Sequence, residues 1–363
     1  SRGEKNYTDI KSLWFNDKGV VKKNELYPLI QNLDLIPFPQ FGDDNKYSVE
    51  ANTLSYGEPY YTGELAWYNT MTGRGCPYSC TFCSNSFLNE RFKGLGKILR
   101  RRTVDNVIEE LAIAKEKFPK LSIISANDEV FVLEKKWLAE FADKYQKEIS
   151  LPFHCDLYPS RVNEEVMALL QKCNMKTVSV GIQSGSERIR RDVYKRRTPD
   201  DMLVNVGNLF KKYGVFPSYD FIFDNPLESN EDLEATLNFI MKLPRPFRIN
   251  AYSMQHHPST SLTESLLLKG LISPNEIDGF SLKGMDNWHV TLKHYEKESD
   301  LFHMHSLFKL YSLSFCVITP YFNRSYALCP RWFFILLTKN RAWLKNHPGV
   351  LSFLLFSGVS AAN

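Results

Sequence analysis

Between residues 65 and about 255, short apolar runs alternate with stretches whose apolar residues recur at helical spacing. Val104, Val107, Ile108 and Leu111, for example, occupy the i, i+3, i+4 and i+7 positions of one helix face. Strands that alternate with amphipathic helices are typical of βα units around a parallel sheet. The pattern therefore predicts an α/β fold with six such units, arranged as a partial, TIM-like (β/α)6 barrel.

The same pattern gives the approximate extent of each element. The predicted strands cover residues 65–72, 121–126, 151–155, 176–182, 215–223 and 247–253. The predicted helices cover residues 104–112, 134–148, 166–173, 186–194, 199–213 and 230–242. In parallel α/β folds the site is built at the carboxyl ends of the strands, so the residues that follow each strand are the first candidates for chemistry.

The chain divides into three regions by pattern. Residues 1–64 are rich in Pro, Tyr and Asn without a sustained period, which predicts a linker or wrapping segment. Residues 65–258 form the predicted core barrel. Residues 259–363 are aromatic-rich and predict a C-terminal helical extension, in which Cys316 and Cys329 are too far apart to form a second compact cluster motif. Because the sequence opens without Met, we expect it to be a fragment.

Composition narrows the class of protein only slightly. The 363 residues carry a formal net charge of +4, well short of a basic footprint for nucleic acid. Seven cysteines and no signal segment favour a reducing compartment, the cytoplasm. No uncharged apolar run reaches the roughly 18 residues of a spanning helix. The uncharged stretch 349–360 favours a buried terminal helix, with peripheral membrane contact as the alternative.

The loop that follows the first predicted strand contains Cys76, Cys80 and Cys83 in a Cys-x3-Cys-x2-Cys arrangement flanked by glycines. Three thiolates in eight residues can hold three irons of a cubane cluster and leave the fourth iron open to a small molecule. A three-cysteine zinc site completed by a distant Cys or His is the structural alternative. The spacing therefore predicts an iron–sulfur site.

This motif, with its Cys80-Thr81-Phe82-Cys83 ending, resembles that of the radical S-adenosylmethionine (SAM) superfamily. The resemblance implies a 4Fe-4S cluster that binds SAM and, once reduced by a partner such as flavodoxin or ferredoxin, cleaves it to a 5′-deoxyadenosyl radical. That radical would abstract hydrogen from a small-molecule substrate.

A second motif refines the resemblance. The segment Leu33–Pro39 resembles the "LDxxPxP" connector that joins a cobalamin-binding domain to the barrel in one group of these enzymes, and Arg2-Gly3-Glu4 resembles the end of such a domain. The resemblance implies cobalamin, bound by a region missing from this chain, and methylation of an unactivated carbon. Cobalamin-independent radical SAM chemistry (methylthiotransferase-like, rearrangement or cyclisation) and a non-catalytic iron–sulfur or zinc protein remain as alternatives.

Candidate cofactor-binding residues lie in the cysteine loop and after the second strand. Phe82 offers edge contacts to adenine or anchors the loop. Asp128 and Glu129 resemble the "DDxF" segment of the family, which implies that one of them binds the SAM amine. Their structural alternative is a solvated acidic helix start.

The third strand contributes Asp156 as a candidate ribose ligand and Arg161 as a candidate carboxylate ligand, although ion pairing or capping explains either residue equally well. Cys155 and Cys173 are expected to be packing residues. His154 is expected to be a partnered core residue rather than a ligand.

Later strands supply the remaining candidates. Gln183 and Ser184 resemble the family's "GxQS" loop, which implies contacts to SAM, with Lys195 in the place of a downstream Lys or Arg. The basic run from Arg188 to Arg197 by itself predicts a solvated helix face. Asp220 is a further candidate, at the start of a segment that resembles the family's "D-x-I-x-G-x-P-x-E-T".

Overall fold

The computed structural model describes residues 8–40, 47–50, 53–56 and 66–278. The predicted C-terminal extension, with Cys316 and Cys329, lies outside the described residues apart from 259–278. The N-terminal region contains two short antiparallel hairpins: β1 (Trp14–Asp17) with β2 (Val20–Lys23), and β3 (Tyr47–Glu50) with β4 (Thr53–Tyr56). These four-residue strands are too short to give a detectable period, so the sequence indicated only a linker there.

One parallel sheet forms the centre of the described structure. After residue 65 the strands are β5 (Ala66–Thr70), β6 (Gly73–Arg74), β7 (Arg100–Arg101), β8 (Leu121–Ala126), β9 (Phe153–Leu157), β10 (Met175–Gln183), β11 (Phe216–Phe223) and β12 (Arg248–Ser253). Six of them pair in the order β5-β8-β9-β10-β11-β12, all parallel. This confirms the α/β class, and it places every strand's carboxyl end at one edge.

The helices alternate with these strands. They are α1 (Ser84–Arg91), α2 (Val104–Lys117), α3 (Lys135–Glu148), α4 (Glu164–Lys172), α5 (Asp200–Lys212), α6 (Asn230–Lys242), α7 (Ser261–Leu268) and α8 (Pro274–Asp278). A single π-helical turn, Ile189–Val193, replaces the α-helix predicted over 186–194. Among the described residues, none of these helices is both long enough and apolar enough to cross a bilayer.

The third strand of the sheet, β9, starts and ends two residues later than predicted. Pro152 has no N–H to donate to a strand ladder, so regular pairing begins at Phe153. His154 and Asp156 consequently lie inside the strand instead of at its end.

Burial alternates along the strands and separates an apolar from a polar face. In β9, Phe153, Cys155 and Leu157 are buried in the core between sheet and helices, whereas His154 and Asp156 lie on the opposite face. Cys173 at the end of α4 is buried in the same core, so both cysteines are packing residues as predicted. The polar face runs across the sheet through the register partners of these residues.

The connector of the N-terminal region is bound to the segment that leads into α2. Leu33 is buried, and the Asp34 carboxylate accepts hydrogen bonds from the Thr103 backbone N–H at 3.0 Å and from the Thr103 hydroxyl at 2.7 Å. Nearby, the Lys97 N–H donates to Gln31 Oε1 at 3.0 Å. Asp34 therefore joins the connector to the first turn of α2, where a negative charge is favoured by the helix dipole.

Candidate functional site at the cysteine loop

The three motif cysteines lie between β6 and α1, at the carboxyl end of the first strand of the sheet. Cys80 is buried, Cys76 and Cys83 are half-buried, and all three are free thiols. Gly75 enters the loop with φ of +91°, and a Cβ there would lie 2.4 Å from the Ile98 carbonyl oxygen. The loop can therefore follow this path only with glycine at position 75.

Side chains of α1 hold the backbone of the cysteine loop. Asn89 Nδ2 donates to the Cys76 carbonyl at 2.8 Å. The Ser86 hydroxyl lies 2.9 Å from the Cys80 carbonyl and 2.7 Å from the Cys83 carbonyl. These contacts fix the positions of all three cysteines relative to one helix.

The other side of the loop is held by later parts of the chain. The Thr81 hydroxyl donates to the Val193 carbonyl at 2.6 Å, and the Thr81 carbonyl accepts from the Leu262 N–H at 3.0 Å. Phe82 packs edge-on against Tyr194 with ring centroids 4.9 Å apart. The loop is thus clamped between the π turn and the start of α7, and Phe82 anchors it.

The electrostatics of the thiols are consistent with a shared metal group. Burial raises the pKa of Cys76 to about 11, and Cys80, Cys83 and Glu129 add to the rise. Burial also raises the pKa of Cys83, with a contribution from Cys80. The charge of a Cys80 thiolate would thus act on both Cys76 and Cys83. Iron coordination would supply the positive charge that stabilises three such thiolates, so the donor set fits a cubane cluster.

No three His, Cys, Asp or Glu side chains within the described ranges converge to hold a single metal ion. In a cubane cluster each cysteine takes a different iron.

Asp128 is buried and fully occupied by the protein itself. It accepts hydrogen bonds from the backbone N–H groups of Thr72 at 2.6 Å and Gly73 at 3.1 Å, and from the Thr72 hydroxyl. Its Oδ2 also pairs with Arg101 Nη2 at 2.9 Å, and the guanidinium lies 4.2 Å from the centre of the Trp137 ring. Asp128 therefore ties the end of β8 to the start of the cysteine loop.

Glu129 differs from its neighbour. It is half-buried and contributes to the rise in the pKa of Cys76, after the effects of burial and of the other two cysteines. Its charge therefore acts on the Cys76 thiol. Of the two adjacent acids, Glu129 is the more exposed one.

Arg161 lies beside the loop, on a 3-10 turn that follows β9. Its Nε donates to the Tyr78 hydroxyl at 3.1 Å, and the Tyr78 ring stacks on Tyr158 at 3.6 Å. The arginine is exposed, and its bond to Tyr78 connects it to the segment between Cys76 and Cys80.

Asp156 and Asp220 lie together on the polar face of the sheet. Each carries a half-buried carboxyl group; burial raises the pKa of Asp220, Asp156 raises it further, and Asn250 Nδ2 donates to Asp220 Oδ1 at 2.8 Å. His154 lies on the same face and is partnered as predicted: its Nδ1 lies 2.8 Å from the Thr177 hydroxyl.

Gln183 and Ser184 are adjacent at the end of β10, but their side chains take different directions. Gln183 has φ of +76°, and its amide folds back over Gly181, where a Cβ would lie 2.3 Å from Gln183 Nε2. Ser184 turns away into a buried position against α6, with its hydroxyl 3.2 Å from Glu228 Oε1 and 3.3 Å from the Thr236 hydroxyl. The structure therefore brings Gln183, and not Ser184, to the side of the sheet where the cysteine loop lies.

Glu228 is a titratable residue that the sequence analysis did not single out. Burial raises its pKa to about 8, and its Oε2 is buried without a hydrogen-bond partner among the described residues. The signal in the sequence was its place in the segment resembling "D-x-I-x-G-x-P-x-E-T", which has a sufficient explanation as a turn and helix start.

The basic run from Arg188 to Arg197 is not the solvated helix face predicted for it. Arg190 and Arg196 are buried, whereas Lys195 and Arg197 are exposed. Lys195 has φ of +55°, and this turn of the backbone directs the next side chain inward. Arg196 Nη1 donates to Cys80 Sγ at 3.5 Å, so Arg196 reaches the cysteine loop and Lys195 does not.

Residues 70–240, which contain the cysteine loop and the polar groups described above, match the profile of the Radical SAM superfamily. The chain contains a radical SAM domain. The predicted family is thereby confirmed.

Three known proteins show how far the similarity extends. An otherwise uncharacterised methyltransferase of Pyrococcus horikoshii is 30% identical over 264 residues, which cover 72% of this chain and 53% of the relative. The cobalamin-dependent SAM radical enzyme OxsB, solved with aqua-cobalamin and SAM bound, superposes with a TM-score of 0.57 at 15% identity, covering 95% of this chain and 56% of that chain. The radical SAM methyltransferase TsrM from Kitasatospora setae, solved with tryptophan substrate and a SAM analogue, gives a TM-score of 0.56 at 15% identity, covering 73% and 50%.

The two structures support the fold, including its TIM-like barrel form. The chain spans about half the length of these relatives. Radical SAM enzymes use a 4Fe-4S cluster and SAM, which are the cofactors predicted from the cysteine motif. The match to the radical SAM profile extends over residues 70–240, well beyond the cysteine loop. It argues against the non-catalytic alternative, because an electron carrier or a zinc scaffold would need only the cysteines.

Proposed function

We propose that this chain is the catalytic part of a cobalamin-dependent radical SAM methyltransferase that acts on a small molecule. The observation that carries the proposal is the cysteine loop, in which three free thiols lie at the carboxyl edge of a parallel sheet and Arg196 contacts Cys80. A cluster held by these cysteines would, with SAM, supply the radical chemistry that removes a hydrogen atom from a substrate carbon, and methylcobalamin would supply the methyl group.

The residues of the chain bind and orient. Cys76, Cys80 and Cys83 hold the cluster. Glu129 accepts hydrogen bonds from the SAM amine, since it is half-buried and its charge acts on Cys76, while Asp128 is occupied by its own partners. Phe82, whose ring is only partly buried against Tyr194, contacts the adenine with its free edge.

Other polar groups bind the rest of SAM and the substrate. Gln183, folded over Gly181, contacts the methionine or ribose part of SAM, and Arg161 is within reach of a carboxylate at the loop. Asp156 and Asp220, which line the polar face of the sheet together, bind hydroxyl or amine groups. The side chain of Ser184 is buried against α6 and that of Lys195 is exposed, so these two residues contribute to SAM binding through the backbone of their loops.

Cobalamin would be bound outside this chain. The relative named as a methyltransferase and the cobalamin-dependent neighbours support this assignment. The docked connector supports it too, because Asp34 fixes the direction in which the chain enters the barrel. A one-electron donor such as flavodoxin or ferredoxin would reduce the cluster. The domains of this proposal are a linker up to residue 64, the barrel over residues 65–258 and a C-terminal extension from residue 259.

The test uses the natural full-length protein, reconstituted anaerobically with iron, sulfide and cobalamin and supplied with SAM and a reductant. We expect a 4Fe-4S spectroscopic signal that changes on addition of SAM, and formation of 5′-deoxyadenosine. Isotope-labelled SAM methyl should then appear in a product formed from a small-molecule extract.

Three different outcomes would each contradict a different part of the proposal. A cluster signal that ignores SAM would contradict the radical SAM function. Substrate-dependent 5′-deoxyadenosine without a methylated product would leave the radical step standing and favour a rearrangement or cyclisation. Labelled methyl delivered as a methylthio group would favour the methylthiotransferase-like alternative.

A further inference from the structure

Arg196 is a buried cation in contact with one of the cluster cysteines. Only 6% of its surface is exposed. Its Nη1 donates to Cys80 Sγ at 3.5 Å and its Nη2 donates to the Gly181 carbonyl at 2.6 Å, while its Nε is buried without a hydrogen-bond partner among the described residues. One face of the guanidinium lies 4.4 Å from the centre of the Tyr158 ring.

The surroundings of Arg196 leave its charge uncompensated by acids. Among the described residues no carboxylate forms an ion pair with it, in contrast to Arg101, Arg102 and Arg190, which pair with acids. A buried guanidinium is costly unless an anion or strong acceptors balance it. The Cys80 sulfur, to which Arg196 donates, becomes anionic when it binds a metal.

The fold positions Arg196 through a buried neighbour. Arg190 donates to the carbonyls of Ser184 and Thr198 at 2.7 and 3.0 Å, which closes the segment around the π turn. The Arg196 N–H then donates to the Arg190 carbonyl at 2.7 Å. The guanidinium is therefore held at the sulfur by a rigid backbone and is not a mobile surface group.

We propose that Arg196 is a positioning residue that sets the reduction potential of the cluster through Cys80. Hydrogen bonds and charge near cluster sulfurs tune the potential, because reduction adds a negative charge. A fixed cation at Cys80 stabilises the reduced form and makes the potential less negative, so a physiological one-electron donor can reduce it. This inference rests on the proposed cluster.

The experiment is a redox titration of the reconstituted full chain without SAM, followed by the electron paramagnetic resonance signal of the reduced cluster. R196Q removes the charge, and R197Q removes an adjacent, exposed charge as the matched control. We expect R196Q to shift the midpoint potential to a more negative value and to alter the signal of the reduced cluster. R197Q should match the wild type in both.

R196K separates the effect of the charge from that of the two hydrogen bonds that the guanidinium donates. It keeps the cation and gives up the planar fork that bridges Cys80 and Gly181, so its potential should lie between those of wild type and R196Q. If R196Q does not fold, R196K against R197Q decides, and an R196K variant in which both the potential and the signal of the reduced cluster equal those of the wild type overturns the proposal. An unshifted or less negative potential in R196Q also overturns it. Absence of a cluster in the wild type would instead overturn the proposed function.

Discussion

At the scale of single residues, two adjacent acids differ in their surroundings. Asp128 is enclosed by Thr72, Gly73 and Arg101, while Glu129 is half-buried and adds to the rise in the pKa of Cys76. A carboxylate that already accepts four hydrogen bonds has little capacity left for a ligand. The two side chains carry the same chemical group, and they differ in how deeply they are buried.

Substituting the two acids should separate folding from SAM binding. D128N leaves the buried Arg101 without its counter-charge, and we expect a loss of about 3 kcal/mol in the free energy of unfolding. E129Q should leave the stability unchanged. It should weaken SAM binding about tenfold or more, because a charge-assisted hydrogen bond is lost.

Thermal unfolding measures the first effect, and the change of the cluster signal during a SAM titration measures the second. Equal destabilisation by both substitutions would contradict the assignment of roles. So would a D128N variant that folds as the wild type does and loses SAM affinity.

Glu228 should make stability depend on pH. Its pKa is about 8 in the folded chain against an ordinary value of 4.5, so between these values the folded state holds a proton that the unfolded state has released. Wild-type stability should therefore fall as the pH rises through this window. E228Q lacks the titrating group and should gain more than about 1.4 kcal/mol relative to wild type, which is the equivalent of one pKa unit.

Urea unfolding of the apo protein at the two ends of the window tests this. S184A is a second variant for this measurement, because it removes the hydroxyl that donates a hydrogen bond to Glu228 and leaves the carboxyl group in place. A constant stability difference between E228Q and wild type across the window would show that Glu228 is ionised throughout.

At the scale of elements, the cysteine loop depends on a backbone path that a side chain would block. G75A places a Cβ 2.4 Å from the Ile98 carbonyl, in addition to the cost of the left-handed backbone. We expect the variant to retain little iron after reconstitution. G94A is the matched control, since Gly94 has φ of +80° with nothing near its virtual Cβ.

Iron and sulfide content per chain is the measurement. G94A should lose about 1–2 kcal/mol of stability from its backbone and still bind the cluster. Similar iron loss in both variants would show that backbone strain alone, and not the approach of Ile98, is responsible.

At the scale of the whole molecule, the N-terminal connector and the barrel meet at Asp34 and Thr103. Asp34 acts on the first turn of α2 from a position 69 residues earlier in the chain. The hydrogen bonds therefore link two regions that the sequence pattern separates.

D34A and T103A should each destabilise the protein by about 1 kcal/mol, as expected for loss of a helix cap. The double variant should cost clearly less than the sum, because both changes remove the same interaction. Denaturant unfolding of the four proteins gives this coupling. Additive losses would mean that the two side chains stabilise the fold independently.

The sequence by itself determined the features that depend on short-range spacing. The period of apolar residues fixed the six βα units, and α6 and β8 lie where it placed them, because burial of one face leaves a regular pattern in consecutive residues. The Cys-x3-Cys-x2-Cys motif identified the superfamily for the same reason: its ligands lie in one loop.

Only the tertiary structure decided which of two neighbouring polar residues reaches the site. Arg196 rather than Lys195 contacts Cys80, since the backbone after the π turn takes φ of +55° at Lys195. Asp128 rather than Glu129 is enclosed by the protein, because Asp128 binds partners 27 to 56 residues away in the chain. Such choices depend on long-range contacts, which leave no period in the sequence.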